Sequence, residues 1–487
     1  MDYVRFHAQL HPLRLAVTDL ASDRDWTYAQ FDGFVARVST LLNERGVREG
    51  ARVACLAKNC AEIIALHHAC ARLGAIFVPL NWRLSTAELH QLIEDCEPTV
   101  TFGDDMATEL AIPAEDIHAL EGLSHDAAPM PDGHLNDALP SLMLYTSGTT
   151  GRPKGVLLSE RNLSETAINF TLLGEVDRDS RFLCESPMFH IIGMVTSIRP
   201  AFLNGGSVIV SDRFDPDRTF ARLADPEIGI SHYFCVPQMA VALRASSAFD
   251  PDRLRGLKAI FTGGAPHPEA QIRDWLADGL SIVDGYGMSE AGTVFGMPLD
   301  RTMIDAKAGC VGIPTPRVLA RIVDEDGKPV PDDEPGELQL KGDNIACGYW
   351  RREADFHATL TDDGWFRTGD VLTKDADGFF RVTDRKKDMF ISGGENVYPG
   401  EVECQLIKFA GMREFAVVGV PDEKWGEVGC LFYVPNGDEI SLAEIEAYLA
   451  DKLAKYKVPK KVVAIDALPR NGVGKVLKHE LRKMFGG

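Results

Sequence analysis

The chain has 487 residues, with 51 Lys and Arg against 72 Asp and Glu, for a net charge of −21. That length exceeds one hydrophobic core and calls for two or more domains, while 45% hydrophobic and 25% charged residues exclude intrinsic disorder. So acidic a surface repels phosphate backbones, which argues against nucleic acid as a partner; a phosphate-bearing ligand must be held by local cations and backbone N–H groups. Ten cysteines are scattered without a CxxC pair. Zinc and thioredoxin-like chemistry therefore lack support, and reduced core cysteines of a cytoplasmic protein are expected. The opening residues carry no apolar run and no stretch reaches ~18 apolar residues, so neither a signal peptide nor integral membrane association is expected.

In chain order, Arg52–Leu56, Ile76–Pro79, Leu142–Tyr145, Val208–Val210, Ala259–Thr262 and Ser281–Asp284 read as apolar strands, and Ala61–Leu73 and Pro268–Leu276 carry helical spacing. This alternation predicts α/β layers with mostly buried strands. From about Val323, Gly and Asp gather in turns that join short strands, which predicts a β-rich section. The character changes at Asp384-Arg385-Lys386-Lys387-Asp388, and the remainder reads as a small α+β unit. In it, Ser441 with Glu444 forms a capping box for a helix that runs to about Leu453. The expected domains are 1–386 and 387–487.

The strongest chemical signal is Tyr145-Thr146-Ser147-Gly148-Thr149-Thr150-Gly151-Arg152-Pro153-Lys154-Gly155. An apolar strand ends in a loop of glycines and small hydroxyls closed by a lysine. Glycines let several backbone N–H groups converge on one anion, hydroxyls add donors, and Lys154 adds a point charge. The arrangement suits a polyphosphate. It is not a Walker A loop, because GxxxxGK[ST] is unmatched. A Ser- and Gly-rich surface loop is the bland alternative, disfavoured by the apolar strand directly before it.

This segment resembles the phosphate loop of the adenylate-forming superfamily, which includes acyl-CoA synthetases, adenylation domains and luciferases. Five further segments resemble that family in order: Pro187-Met188-Phe189-His190, Gly285-Tyr286-Gly287-Met288-Ser289-Glu290, Gly364 to Asp370, Asp384-Arg385-Lys386-Lys387-Asp388 running on to Ser392-Gly393-Gly394-Glu395-Asn396, and Pro469 to Lys475. The resemblance implies activation of a carboxylic acid as acyl-AMP, with ATP and Mg²⁺, followed by transfer to CoA. It implies a large N-terminal domain of layered α/β sheets with a β-barrel-like section, a small mobile α+β C-terminal lid, and a site between them.

By the same resemblance, Thr146, Ser147, Gly148, Thr149, Thr150 and Lys154 hold phosphates, and Ser289 meets the α-phosphate. Glu290 ligates Mg²⁺, as a hard carboxylate beside phosphate oxygens can. Tyr286 stacks on adenine, flanked by Gly264, Ala265 and Asp284 and by the Gly285, Gly287 and Met288 backbone. Asp370 and Arg385 take the ribose, and a carboxylate facing a vicinal diol is a good bidentate match. Lys475, a compact charge on a flexible stem, reaches between carboxylate and α-phosphate, and with Glu290 and His190 makes the catalytic set. Lys387 is the hinge about which the lid rotates, and Gly393 and Gly394 line the pantetheine tunnel. CoA contacts fall on Arg83, Trp425, Tyr456 and Lys460. The acyl pocket falls on His190, Gly193 and Met194 with an apolar wall from Phe234 and Val236, over a floor at Gly285. The absence of an acidic residue in Phe189-His190-Ile191-Ile192-Gly193 disfavours an amino-acid substrate, so a fatty or aryl acid is expected. A carrier-protein acceptor and a luciferase-type oxygenase remain alternatives, and the protein is expected as a monomer or homodimer.

Overall fold

The computed structural model describes every residue except 1, 124–134, 147–152, 265–266, 386–387, 393–394, 423–424, 451, 454, 471–475 and 487. Two compact units are present. The first is Met1–Ala320 with Leu340–Phe366; the second is Arg321–Gln339 with Arg367–Gly487.

The first unit holds two large sheets. In one, six parallel strands run in the spatial order Ile282–Met288, Ala259–Thr262, His232–Cys235, Arg181–Cys184, Ser207–Val210 and Leu15–Asp19, with antiparallel strands Gly292–Gly296 and Ile313–Pro314 beyond one edge and Arg24–Thr27 beyond the other. In the other, Pro140–Thr146, Ile76–Pro79, Arg52–Leu56, Val100–Gly103 and Glu115–Asp116 are parallel, and Lys154–Ser159 and Gly348–Tyr349 add antiparallel strands at the Pro140–Thr146 edge. The sequence places Arg52–Leu56, Ile76–Pro79 and Ala259–Thr262 to the residue. It cuts two strands short, at Tyr145 and Asp284, because the glycines and polar residues that follow read as loop.

Two buried helices pack against strands of both sheets. Ala61–Leu73 is buried from Ala61 to Ala71, as an all-round apolar helix must be, and it stops at Gly74 in the left-handed conformation (φ 68°). Glu160–Gly174 starts at a Ser159–Asn162 capping box. Between these helices lies a buried ion pair. Arg199 forks onto Glu160, Nη1 to Oε2 at 2.8 Å and Nη2 to Oε1 at 2.7 Å; Ser141 Oγ donates to Glu160 Oε1 at 2.7 Å, and His67 Nε2 lies 3.2 Å from Arg199 Nη2. Burial opposes the Glu160 charge, but the charge and hydrogen bonds of Arg199 prevail and hold its carboxyl below the usual range.

The second unit contains a sheet ordered Leu319–Val323, Gly336–Lys341, Phe366–Lys374 and Phe380–Arg385, the last two antiparallel and the first three beginning or ending in residues of the first unit. A second sheet holds Glu395–Val397, Phe390–Ser392, Gly426–Pro435 and Met412–Asp422, with Lys461–Ala464 beside Gly426–Pro435. Its long hairpin separates two apolar clusters, one around Val417 and Leu431, the other around Val418 and Cys430. This inside–outside alternation is that of a strand buried on both faces. The Ser441–Glu444 capping box is present and opens Leu442–Leu449.

Arg199→Ala should leave Glu160 charged and unpaired in the core. The expected loss is about 3–5 kcal/mol of unfolding free energy, read by urea unfolding at neutral pH; a loss below about 1 kcal/mol, the range of a surface pair, would show that water reaches the pair.

Candidate active site

Strands Pro140–Thr146 and Lys154–Ser159 pair so that Thr146 faces Lys154 across the hairpin. Ser147, Gly148, Thr149 and Thr150 lie outside the described residues. Lys154 Nζ is 5.0 Å from the ring centroid of Tyr349 and 3.6 Å from Asp355 Oδ2. Tyr349 reaches it because Gly348–Tyr349 is the strand paired to Lys154–Ser159. The Tyr349 hydroxyl then donates to Glu290 Oε1 at 3.0 Å. Lys154, Tyr349 and Glu290 therefore form one continuous cluster of cation, phenol and carboxylate beside the loop.

Glu290 sits in the turn between Ile282–Met288 and Gly292–Gly296, after Gly287, Met288 and Ser289. Its position is fixed through the backbone: Ala346 N donates to Glu290 O at 2.7 Å, and Asn344 Nδ2 to Ala291 O at 2.7 Å. Asn162, at the start of the buried helix, donates in turn to the carbonyls of Asp343 and Ile345 at 2.7 and 2.8 Å. One half-buried carboxylate joined through Tyr349 to Lys154 fits Mg²⁺, which keeps waters and phosphate oxygens in most of its six positions. Tyr349, Asn344 and Asn162 were not singled out from the sequence. The one signal for Tyr349 is Gly348-Tyr349-Trp350, an aromatic pair after a glycine.

The remaining groups of this unit gather at the C-terminal ends of parallel strands, where open α/β sheets hold their ligands. His190 follows Arg181–Cys184, Val236 follows His232–Cys235, Gly263 and Gly264 follow Ala259–Thr262, and Gly285 and Tyr286 continue the next strand. Tyr286 is half-buried, its ring 5.7 Å from that of Phe295. Asp284 is 3% exposed, and its carboxyl is engaged internally: it accepts from Thr262 Oγ1 at 3.2 Å, His267 N at 3.2 Å and Gly285 N at 3.1 Å. Its side chain thus binds the Gly263–His267 loop to the strand instead of presenting itself to a base. Burial raises its pKa from 3.8 to about 7 against the pull of these three bonds. Ala265 lies outside the described residues.

Three expected acyl-pocket positions serve packing. A Cβ at Gly193 would lie 2.3 Å from Pro187 O and 2.4 Å from Ser186 O, so this glycine lets a turn of π-helix, Ile192–Thr196, sit directly on the Ser186–Pro187 backbone. Met194 is 1% exposed and belongs to the core. At Gly285 a Cβ would stand 3.1 Å from Phe295 O, so a side chain there presses on the neighbouring strand. Gly264 is exposed, whereas Gly263 before it is buried. A Cβ at Gly263 would lie 3.3 Å from both Gly285 O and the Phe234 ring, and one at Gly264 (φ 83°) 3.7 Å from Ile192 Cδ1 and 3.9 Å from Val236 Cγ1. His190 lies edge-on to Phe189, with ring centroids 4.5 Å apart, and Phe189 meets Trp82 at 5.9 Å. His190 Nε2 is buried without a hydrogen-bond partner among the described residues. Burial, and then the charge of Arg83, push its pKa down to about 4, so the imidazole is neutral near pH 7. Arg83 itself lies over the Trp82 ring at 4.9 Å.

In the second unit, Asp370 and Arg385 are direct cross-strand partners, so the two residues expected at a ribose are neighbours in register. Asp370 is buried and follows Gly369 at φ 70°. Trp425 and Tyr456 are exposed, and Lys460 Nζ is bonded to Glu446 at 2.9 Å. Lys387, Gly393, Gly394 and Lys475 lie outside the described residues; Arg470 and Val476, on either side of the Lys475 loop, pair as an antiparallel bridge.

This geometry agrees with comparison to known proteins. Residues 4–350 match the AMP-binding enzyme model, and residues 401–475 match the AMP-binding enzyme C-terminal domain. The chain is 39% identical to a feruloyl-CoA synthase from Amycolatopsis over 94% of both chains, and 37% identical to an indoleacetate–CoA ligase from Aromatoleum aromaticum over 99% of this chain and 97% of that one. Its fold matches ATP-bound MatB from Rhodopseudomonas palustris with a TM-score of 0.88 and 31% identity, over 99% of both chains. The chain belongs to the AMP-binding enzyme family. It is an AMP-forming acid–thiol ligase that uses ATP, Mg²⁺ and CoA. No helix among the described residues is long and apolar enough to cross a membrane.

The raised pKa of Asp284 carries a sign. Between 3.8 and about 7 the folded state binds more protons than the unfolded one, so this group's contribution falls as pH rises through that window. Asp284→Asn cannot ionise. Its unfolding free energy relative to wild type should therefore increase from about pH 4 to about pH 8 and then level off; a difference independent of pH would contradict it.

Proposed function

We propose that this chain is an acyl-CoA synthetase for planar aromatic acids, cytoplasmic and a monomer or homodimer. The observation that carries the acid class is the wall at the strand ends. The exposed Gly264 presents backbone without a side chain beside Ile192 and Val236, and the buried Gly263 before it lies against Phe234. A flat backbone surface between an aromatic ring and branched aliphatics suits a planar ring, and pockets of this kind take their shape from apolar walls and a few polar groups. The polar group here is the neutral His190 imidazole, whose Nε2 has no partner among the described residues. The first relatives named above act on feruloyl and indoleacetyl groups, both aromatic.

In the proposed reaction the acid carboxylate attacks the α-phosphate of ATP, forming acyl-AMP and releasing pyrophosphate. Two anions must approach, so fixed cations and donors carry most of the catalysis. Lys154 meets the phosphates from its place over the Tyr349 ring. Glu290, oriented by the Tyr349 hydroxyl, would hold Mg²⁺, which when bound neutralises phosphate charge. Tyr286 stacks on adenine, and Asp370 and Arg385 take the ribose. Lys475 bridges carboxylate and α-phosphate. The lid then turns about Lys387, Gly393 and Gly394 line the way for pantetheine, and the CoA thiol displaces AMP. Arg83, Trp425, Tyr456 and Lys460 are the proposed CoA contacts. The proposed domain boundary remains 386/387.

The test of the acid class is AMP release with CoA over a panel of cinnamate, benzoate, indole-3-acetate, octanoate and palmitate. An aromatic acid should exceed both alkanoates in kcat/KM by about tenfold or more, since shape differences in an apolar pocket are worth about 1–3 kcal/mol. A preference for palmitate would overturn the planar reading, and AMP release indifferent to CoA would favour a carrier-protein acceptor.

Lys475→Ala should lower pyrophosphate exchange by on the order of a hundredfold or more, the usual loss for one transition-state charge contact. Thioester formation from preformed acyl-AMP should stay within about threefold, because the phosphate it bridges has already reacted. Equal losses in both steps would remove it from the role.

A further inference from the structure

We infer that Asn59 is a positioning residue for the acid substrate, acting through the loop that carries His190. The inference rests on the proposal that His190 faces the acyl group. Asn59 follows the strand Arg52–Leu56 and precedes the buried helix Ala61–Leu73. Its own turn is held on both sides, by Lys58 N donating to Asp104 Oδ2 at 2.9 Å and by Ala61 N donating to Asp19 Oδ2 at 2.8 Å. Asn59 is 4% exposed, and its side chain crosses to the other sheet's loop. There Nδ2 donates to Ser186 O at 2.9 Å and Oδ1 accepts from Met188 N at 2.9 Å. Only one orientation of the amide satisfies a carbonyl and an N–H together, so the placement of its oxygen and nitrogen follows from the partners.

These two bonds clamp the backbone on either side of Pro187, which has no N–H of its own. The following groups are also engaged: His190 N donates to Pro187 O at 3.0 Å, and the Gly193 backbone lies against the carbonyls of Ser186 and Pro187. The His190 imidazole, by contrast, has no hydrogen-bond partner on Nε2 among the described residues. A side chain without a partner takes its direction from the backbone beneath it and from the rings beside it. Phe189 supplies the ring contact, and Asn59 fixes the backbone. A polar group that must meet a substrate within a few tenths of an ångström therefore depends on an amide in a different sheet.

Asn59→Asp tests this with little change in shape. The carboxylate can still accept from Met188 N, but it faces the Ser186 carbonyl oxygen with no proton to share. Protonation restores the donor. The groups around it are Asp19, Asp104, the Glu62–Arg24 pair, Glu185 with Arg222 and Thr219, Lys58, the thiols of Cys60 and Cys184, and the neutral His190. Burial and this mostly acidic surrounding raise the pKa of the introduced carboxyl, so recovery occurs on acidification within the working range.

The experiment measures KM for the best acid of the panel and KM for ATP, from about pH 6 to about pH 8, in wild type, Asn59→Asp and His190→Ala, with Tm of each. At the alkaline end, Asn59→Asp should raise the acid KM about tenfold or more and leave the ATP KM within about twofold. Its acid KM relative to wild type should fall back as the pH falls. A purely structural Asn59 would lower Tm and change both KM values together with no recovery, and that result overturns the inference. Should Asn59→Asp not fold at the alkaline end, Asn59→Ser, with a shorter donor and acceptor, must show the same split between acid and ATP. The His190→Ala arm separates the two claims. If it leaves the acid KM unchanged, the acyl-facing reading of His190 fails and the inference with it. If it raises the acid KM while Asn59→Asp does not, the reading stands and the inference alone fails.

Discussion

The buried pair of Glu160 and Arg199 is the constraint from which the rest of the first unit can be followed. Both charges lie in the core, 2.7–2.8 Å apart, and neither can move away without leaving the other uncompensated at low dielectric. The pair sits at the open end of the Pro140–Thr146 and Lys154–Ser159 hairpin, since Ser141 bonds Glu160 and Glu160 directly follows Ser159. The hairpin's other end, about 20 Å away at ~3.4 Å per residue, carries Thr146 and Lys154. Glu160 also starts the helix whose Asn162 holds the carbonyls of Asp343 and Ile345, and Asn344 between them holds the turn of Glu290. One line of hydrogen bonds therefore runs from the core pair to both the cation and the carboxylate of the site.

The charge distribution makes such local placement necessary. The chain carries a net charge of −21, yet it must bring a carboxylate against a polyphosphate. Charges more than about 8–10 Å away are screened at physiological salt, so the overall acidity neither helps nor prevents the reaction at the site itself. What matters is a cation held within a few ångström of the phosphates. Lys154 is held by the face of Tyr349 and by Asp355, and the same Tyr349 spends its hydroxyl on Glu290. One aromatic residue thus touches both the cation, through its ring, and the carboxylate, through its hydroxyl.

Motif-bearing residues were legible in the sequence because their chemistry is concentrated in short runs. The strand ending at Tyr145, the Gly285–Glu290 run and the cross-strand pair of Asp370 with Arg385 lie on segments whose glycines and charges stand out from apolar neighbours. The residues that orient them were not legible. Asn59, Asn162, Asn344 and Arg199 are single residues outside those runs, and each acts on a backbone or side chain 39 to 183 positions away. No periodicity or local spacing encodes such a partner. The strand ends were misjudged for a related reason. Glycine weakens a strand by propensity, but Gly285 and Gly287 are retained in the Ile282–Met288 strand because the antiparallel partner Gly292–Gly296 supplies its hydrogen bonds.

Glycine also divides the site into parts that can and cannot vary. At Gly193 and Gly285 the added atom would strike backbone, at 2.3 Å and 3.1 Å. Backbone cannot turn aside as a side chain can, so these positions are fixed by the fold whatever acid is bound. At Gly264 the nearest atoms are side chains, Ile192 and Val236 at 3.7 and 3.9 Å, while Gly263 meets Phe234 and the backbone of Gly285 at 3.3 Å. Phe234 lies in the His232–Cys235 strand, Val236 directly after it and Ile192 in the π-turn, and none of them takes part in the hydrogen bonds that position Glu290, Lys154 or Asp284. A substitution among them changes the shape opposite the glycine wall while the cluster beside the phosphate loop stays where the core pair puts it. On the proposed acyl wall, selectivity for the acid would thus change at the end of the His232–Cys235 strand and in the π-turn while the hydrogen bonds that hold Glu290 stay as they are.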